Sequence, residues 1–285
     1  MKVLIIGASG LVGGNTFSLF KQLKYNVIGT YNKFQLPNLE YFDPFNKMHL
    51  RNIEKKNFDA IIYNGALTNV EKCEIDPDLS HHLTFSSAKI LIDFCSVNSI
   101  KFIYPSTDYV FDGLRGPYTE NDNVNPINVY GKHKLKVEEY IQKKIKKYLI
   151  VRITNVYGNE NRQKNFINSS IAKIKSEKSV SIKAANDQYS TPVCAQDISY
   201  LFDYFLKNNI NGLYHFSSTD YMNRVQILQA ISKVTKYKFN IIGLKTNEMN
   251  QIAKRPLRGG LLANKFFNKY SSFITTNIYE YLRKK

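Results

Sequence analysis

The chain opens on an apolar run, Lys2 to Ile6, that breaks at Gly7-Ala8-Ser9-Gly10-Leu11-Val12-Gly13 and resumes as an amphipathic stretch reaching Lys24. Three glycines spaced three apart, between a strand-length run and a helix-length one, restrict the fold severely. They imply a tight turn, a backbone that can come close to an anion, and a helix N-terminus whose free N–H groups face it. The spacing is Gly-x-x-Gly-x-x-Gly rather than Gly-x-Gly-x-x-Gly, but the physical demand is similar, and Gly13 would let the helix lie close to the sheet.

The next 130 residues repeat the alternation. Strands are expected at Lys2–Ile6, Asn26–Thr30, Glu40–Phe42, Ala60–Tyr63, Lys101–Tyr104 and Leu149–Ile153, with helices over Leu11–Lys24, Leu79–Asn98 and Tyr130–Lys146. Such βαβ units predict an α/β fold, a doubly wound parallel sheet of the Rossmann type, over residues 1–154. Beyond Thr154 the pattern loosens. Helices are expected near Phe166–Ser176, Ala195–Leu206 and Val225–Thr235, and strands near Val180–Lys183 and Phe239–Ile242. Residues 155–285 are therefore expected to form mainly a smaller, mixed, substrate-binding lobe over the carboxyl edge of the sheet, with some segments returning to the first core.

Composition narrows the class. Hydrophobic residues make up 43% and charged residues 22%, close to globular averages, and no stretch approaches the length of a membrane span. Cys73, Cys95 and Cys194 are odd in number and far apart, which suits reduced thiols in a cytoplasmic protein. The net charge of +17 is unusual. No nucleic-acid-binding motif accompanies it, and the lysines mostly decorate helical stretches, so the excess reads as a solvated face that also attracts a small polyanion. No membrane or nucleic-acid partner is expected. The five histidines include no metal-ligand spacing, so no metal is expected.

The end of the second strand discriminates between nicotinamide cofactors, because a carboxylate there holds a ribose 2′-hydroxyl and a cation accommodates a 2′-phosphate. The segment reads Thr30-Tyr31-Asn32-Lys33, without a carboxylate, which favours NADPH and leaves NADH possible. Asp43, after the third strand, either bonds the adenine amine or caps its own turn. Tyr130 and Lys134 stand four apart at a helix start, on one face. A free tyrosine with a pKa near 10 is a poor proton shuttle, and an adjacent ammonium favours its phenolate.

After the fifth strand comes Ser106-Thr107-Asp108-Tyr109-Val110-Phe111-Asp112-Gly113, followed by Gly116-Pro117-Tyr118-Thr119-Glu120, Asn125-Pro126 and Val129-Tyr130-Gly131-Lys132. With Asn64-Gly65-Ala66-Leu67-Thr68-Asn69-Val70-Glu71, Arg152-Ile153-Thr154-Asn155-Val156-Tyr157-Gly158 and Gly212-Leu213-Tyr214-His215, these motifs resemble the extended short-chain dehydrogenase/reductase family, and within it the dTDP-4-dehydrorhamnose reductases. The resemblance spans nearly the whole chain. It implies an NAD(P)H-dependent oxidoreductase that reduces the C4 keto group of a nucleoside-diphosphate 4-keto-6-deoxyhexose, for deoxysugar supply to a surface polysaccharide or glycan.

By that resemblance Tyr130 would protonate the sugar O4, Lys134 would tune Tyr130 and hold the nicotinamide ribose, and Thr107 would bond the same O4. Asp108 and Tyr109 would orient sugar hydroxyls. Gly7, Ser9, Gly10, Leu11, Val12 and Gly13, with Thr30, Tyr31, Asn32, Lys33 and Asp43, would hold the cofactor, and Gly65, Ala66 and Leu67 would line it across the sheet edge. Arg255 and Arg258 would meet the diphosphate, with Gln188 and Thr191 nearby; the alternative for the arginines is pairing with surface acids. Asn155 stands where the family has a substrate-touching tryptophan, and Thr84 where asparagine is common. The Asp-Glu of the sugar-nucleotide dehydratases and the cysteine of the epimerase-reductases are both missing. A homodimer is possible. The rival reading is a non-catalytic NADP-binding subunit resembling the regulatory β-subunit of methionine adenosyltransferase, which shares Tyr-Val-Phe-Asp-Gly.

Overall fold

The computed structural model describes residues 1–177 and 179–285. Strands run at Lys2–Ile6 (β1), Asn26–Tyr31 (β2), Glu40–Tyr41 (β3), Ala60–Tyr63 (β4), Lys101–Thr107 (β5), Tyr148–Ile153 (β6), Ser181–Ala185 (β7), Tyr189–Ser190 (β8), Gly212–His215 (β9), Met222–Asn223 (β10) and Asn240–Leu244 (β11). Helices run at Leu11–Gln22 (α1), Lys47–Lys56 (α2), Val70–Ile75 (α3), Pro77–Ser80 (α4), Ser87–Val97 (α5), Val129–Lys144 (α6), Phe166–Ser176 (α7), Ala195–Lys207 (α8), Arg224–Thr235 (α9), Asn264–Lys269 (α10) and Ile278–Arg283 (α11).

Seven strands form one sheet in the order β3-β2-β1-β4-β5-β6-β9, every neighbouring pair parallel. Successive side chains on a strand point to opposite faces, so β1 feeds two cores. Val3 and Ile5 join Leu19 and Phe20 of α1 and Ile198, Leu201, Phe202 and Phe205 of α8. Leu4 and Ile6 join Ala88, Leu91 and Ile92 of α5 and Val137 and Ile141 of α6. With a core on each face, β4 and β5 are buried throughout, which is why they read as continuous apolar runs. A third core gathers Ile167, Ile171, Ile227, Leu228, Ile231, Ile278 and Leu282 from α7, α9 and α11, under the parallel pair β7–β11.

The strand order reverses direction between β1 and β4. In open α/β sheets that switch point leaves a crevice at the carboxyl ends of the strands. The expected helix over Leu79–Asn98 is three elements: α4, a π-helical turn over His81–Ser86, and α5. Gly212–His215, read in the sequence as a motif, is the edge strand β9, and it borders β6.

Candidate active site

The glycine turn is built as the sequence demands. Gly7 has φ +78°, a left-handed conformation that favours glycine, and any side chain on Gly13 would run into the Gly7 carbonyl. Ala8 N–H donates to Thr30 O at 2.7 Å and pins the turn to β2. Gly10 caps α1 with no side-chain bond, which leaves the N–H groups of Leu11, Val12 and Gly13 without helical acceptors. A helix N-terminus of this kind takes a phosphate.

A cofactor that fills the crevice should meet polar atoms awaiting partners. Among the described residues six buried side-chain N/O atoms have none: Thr30 Oγ1, Asn64 Oδ1, Tyr104 Oη, Ser106 Oγ, Arg162 Nε and Arg255 Nε. Thr30, Asn64 and Ser106 stand at or near the carboxyl ends of β2, β4 and β5, Tyr104 lies mid-way along β5, and Arg162 and Arg255 lie in loops of the C-terminal half. Buried polar groups are normally satisfied, so this concentration suits a polar ligand in the crevice. A dinucleotide fits both the turn and these atoms.

Across the crevice, Asn128 caps α6 by accepting from Gly131 N–H at 2.8 Å and donates to Lys254 O at 2.9 Å, and Glu74 accepts from Val129 N–H at 3.0 Å. The first turn of α6 is thereby tied to α3 and to the segment at Lys254. Thr107, the last residue of β5, accepts from Tyr109 N–H at 3.2 Å and donates to Asp108 Oδ1 at 3.4 Å, and it stands beside the Tyr130 phenol, whose pKa burial raises while Thr107 opposes. Lys134 is 4% exposed. Its Nζ donates to Pro105 O at 2.7 Å and lies 3.9 Å from the centroid of the Tyr104 ring. Burial lowers the Lys134 pKa to about 7, Glu138 opposing. Thr107, Tyr130 and Lys134 thus converge beside the crevice, and the Tyr109 ring meets the Tyr130 ring edge-on at 5.7 Å.

Other expected residues are placed differently. Asp108 is buried, its carboxylate accepting from Gly260 N–H at 3.2 Å, with Thr154 as a further donor. Burial pushes its pKa up to about 6. It braces the 258–261 segment rather than standing open to sugar hydroxyls. Gln188 Nε2 donates to Thr246 Oγ1 at 3.0 Å and Gln251 Oε1 at 2.8 Å, and the Thr191 hydroxyl accepts from Leu261 N–H at 2.8 Å, so both side chains are held within the protein. Arg255 pairs with Glu71, the acid-paired alternative, although its Nη1 still reaches the Tyr109 hydroxyl at 3.5 Å. Arg258 is exposed and held through its backbone to Gly113 and Gly116. Asp43 accepts from Phe45 N–H at 3.0 Å and so caps its own turn. Asn32 donates to Phe42 O at 3.1 Å, while Lys33 is exposed.

At the crevice wall Gly65 lies on the Tyr63 ring, and Leu67 N–H donates to Thr84 Oγ1 at 3.1 Å. Thr84 comes from the π-helical turn, so the residue that departs from the resembled pattern tethers the loop Gly65–Leu67. Asn155 has φ +39° and donates to Ser190 Oγ at 2.5 Å. Its Oδ1 accepts from Arg224 Nη2 at 3.5 Å.

The family is decided at this point, because residues 1–280 match the sequence profile of the RmlD substrate binding domain. The chain belongs to that family. Its relatives include the dTDP-4-dehydrorhamnose reductase of Salmonella typhimurium, 29% identical over 223 residues that cover 75% of this chain and 72% of that protein. The methionine adenosyltransferase 2 subunit beta of Rattus norvegicus is 26% identical, covering 90% of this chain and 77% of that one. The crystal structure of the Bacillus anthracis dTDP-4-dehydrorhamnose reductase in complex with NADP superposes with a TM-score of 0.89 at 25% identity, over 100% of this chain and 98% of that one.

Within this RmlD-family fold one cation went unnoticed in the sequence. Arg224, the first residue of α9, sits 4.5 Å above the Phe166 ring, and burial lowers its pKa, with the Tyr109 phenol and the Arg255 guanidinium in its field. None of the ion pairs among the described residues includes it. Its one sequence signal, Asn223-Arg224 before an apolar helical run, reads as an ordinary capped helix start. Among the described residues no three His, Cys, Asp or Glu side chains are grouped to hold a metal, and no helix is long and apolar enough to cross a membrane.

Proposed function

We propose that this protein is an NADPH-dependent reductase of the C4 keto group of a nucleoside-diphosphate 4-keto-6-deoxyhexose, feeding a surface polysaccharide or glycan. The observation that carries the reading is the convergence of Thr107, Tyr130 and Lys134 on the crevice that begins at the glycine turn. NADPH, when bound, supplies the hydride to C4.

The chain supplies the proton. Burial keeps the Tyr130 phenol protonated in the resting site, so it is an acid ready to donate to O4, and the Thr107 hydroxyl orients the same oxygen. As the phenol gives up its proton, the Lys134 ammonium and the Thr107 hydroxyl stabilise the phenolate. Tyr109, held edge-on to Tyr130, walls the sugar site. Arg224, a half-buried guanidinium with no carboxylate partner, receives the substrate's negative charge; Arg255, already balanced by Glu71, positions Tyr109.

The test is loss of NADPH absorbance with a panel of dTDP- and UDP-linked 4-keto-6-deoxyhexoses, with and without an N-acetyl group. Turnover on one of them establishes the reaction and the sugar together. The similarity to a methionine adenosyltransferase regulatory subunit supplies the second reading. Tight NADPH binding without turnover on any sugar would favour it.

A further inference from the structure

The loop between β6 and α7 carries a cation to the far end of the crevice. Arg162 lies in this loop, about 130 residues from β2, yet its guanidinium carbon is 5.9 Å from the centroid of the Phe34 ring, and Phe34 directly follows Lys33. Its Nη2 is 3.6 Å from the point where a Cβ on Gly10 would stand. Arg162 therefore bridges the glycine turn and the end of β2. Its Nε is buried without a partner, and none of the ion pairs among the described residues includes it.

The loop is anchored rather than loose. Asn15 of α1 donates to Asn159 O at 2.9 Å, and Glu160 accepts from the Asn165 side chain and backbone at 3.0 and 2.6 Å. Asn159 to Asn161 and Gln163, with Ser9, Gly10 and Leu36 to Leu39, wall a cleft of about 910 Å³ that runs alongside the same loop and the glycine turn. In this fold the position between the glycine turn and the end of the second strand belongs to the adenosine ribose, and a 2′-phosphate there calls for a cation. Lys33 alone offers an exposed ammonium. A guanidinium held over an aromatic ring offers a planar fork that matches phosphate oxygens.

We propose that Arg162, reaching over from the β6–α7 loop, is a second cation on the cofactor's 2′-phosphate and, with Lys33, sets the preference for NADPH over NADH. The inference rests on the cofactor reading above. It adds that nucleotide discrimination is shared between the first βαβ unit and a loop of the C-terminal half.

The test is equilibrium binding of NADPH and of NADH to the full chain, by calorimetry or by nucleotide fluorescence, for the wild type, Arg162→Ala and Arg162→Lys. Arg162→Ala is expected to weaken NADPH binding about 10- to 100-fold, as for loss of a charge-assisted hydrogen bond, and to change NADH binding less than about twofold. Arg162→Lys, which keeps the charge and loses the fork, should fall between. Equal weakening for both nucleotides would place Arg162 on the shared pyrophosphate and overturn the assignment, as would no change for either. A wild type that binds neither nucleotide would instead defeat the cofactor reading, leaving the two failures distinct. Unchanged melting of the variants confirms that binding, not folding, was altered.

Discussion

Two buried cations lie on the same flank of the sheet and are treated in opposite ways. Arg152 on β6 pairs with Glu138 of α6 at 2.7 Å, with side chains 5% and 1% exposed, and its Nη1 lies 3.3 Å from His215 on β9. Burial, helped by the Arg152 guanidinium, holds His215 neutral, its pKa lowered to about 3, and the imidazole faces Tyr118 O at 3.0 Å. One turn earlier on α6, Lys134 is as deeply buried but is given only a carbonyl and an aromatic face. The first cation is matched on its charged side and fastens β6, β9 and the 111–120 segment to α6. The second has no ion-pair partner among the described residues and feels Glu138, one turn on, only at longer range. Arg224 is treated like Lys134, and Arg255, with Glu71, like Arg152. Pairing thus marks charges that fasten elements together, but an unpaired buried cation is not confined to the crevice, since among the described residues Lys101 at the start of β5 is bonded only to Ile210 O at 2.6 Å.

Breaking the matched pair should have the largest effect. Glu138→Ala leaves the Arg152 guanidinium buried and alone and is expected to cost about 3–5 kcal/mol of stability, measured by urea unfolding. A loss below 1 kcal/mol would show that the pair is not a structural fastener. Tyr130→Phe should leave stability nearly unchanged and lower turnover by at least about 100-fold, with little change in NADPH affinity. Turnover close to wild type would remove Tyr130 as the acid.

Lys134→Met sharpens the contrast, because here loss of a buried charge should stabilise the fold, by about 1–4 kcal/mol at neutral pH, while turnover collapses. The sign follows from linkage. The folded-state pKa, about 7, lies below the ordinary lysine value, so the unfolded chain binds more protons between them and Lys134's penalty on folding fades as pH rises from about 7. Lys101, lowered to about 8 by burial, acts in the same direction, so the measurement is the difference between wild type and variant across pH 7 to 9. The advantage of Lys134→Met should shrink with rising pH; a constant or growing difference contradicts a depressed Lys134. The smallest effect is expected from Arg224→Ala, which should raise KM for the sugar nucleotide about 10- to 100-fold, the loss of one charge-assisted contact, with kcat and stability little changed. An unaltered KM would put the substrate's charge elsewhere.

Much of this was legible in the chain. The glycine turn, the alternation of apolar runs and the Tyr-x-x-x-Lys spacing are local patterns; the spacing puts Tyr130 and Lys134 on one face of α6, while Thr107, expected from the family resemblance, ends β5 beside Tyr130. The protein partners of Gln188, Thr191 and Asp108 were not legible, because a polar side chain near a site can bond protein as well as ligand, and only the folded partners tell which are at hand. Gln188 meets Gln251, Thr191 meets Leu261 and Asp108 meets Gly260 across separations of 63 to 152 residues.

The sequence by itself determined the parallel sheet, the glycine turn at the head of α1 and the shared face of Tyr130 and Lys134 on α6, since each depends on residues close together in the chain and on the fixed periods of helix and strand. Tertiary structure alone decided which cations are free. Arg255 is paired with Glu71, 184 residues away, whereas α9 carries Arg224 to Asn155 and the β6–α7 loop carries Arg162 to the Phe34 ring, with no ion-pair partner for either among the described residues. Charge balance is a property of what ends up adjacent, and adjacency across a sheet edge leaves no period in the sequence.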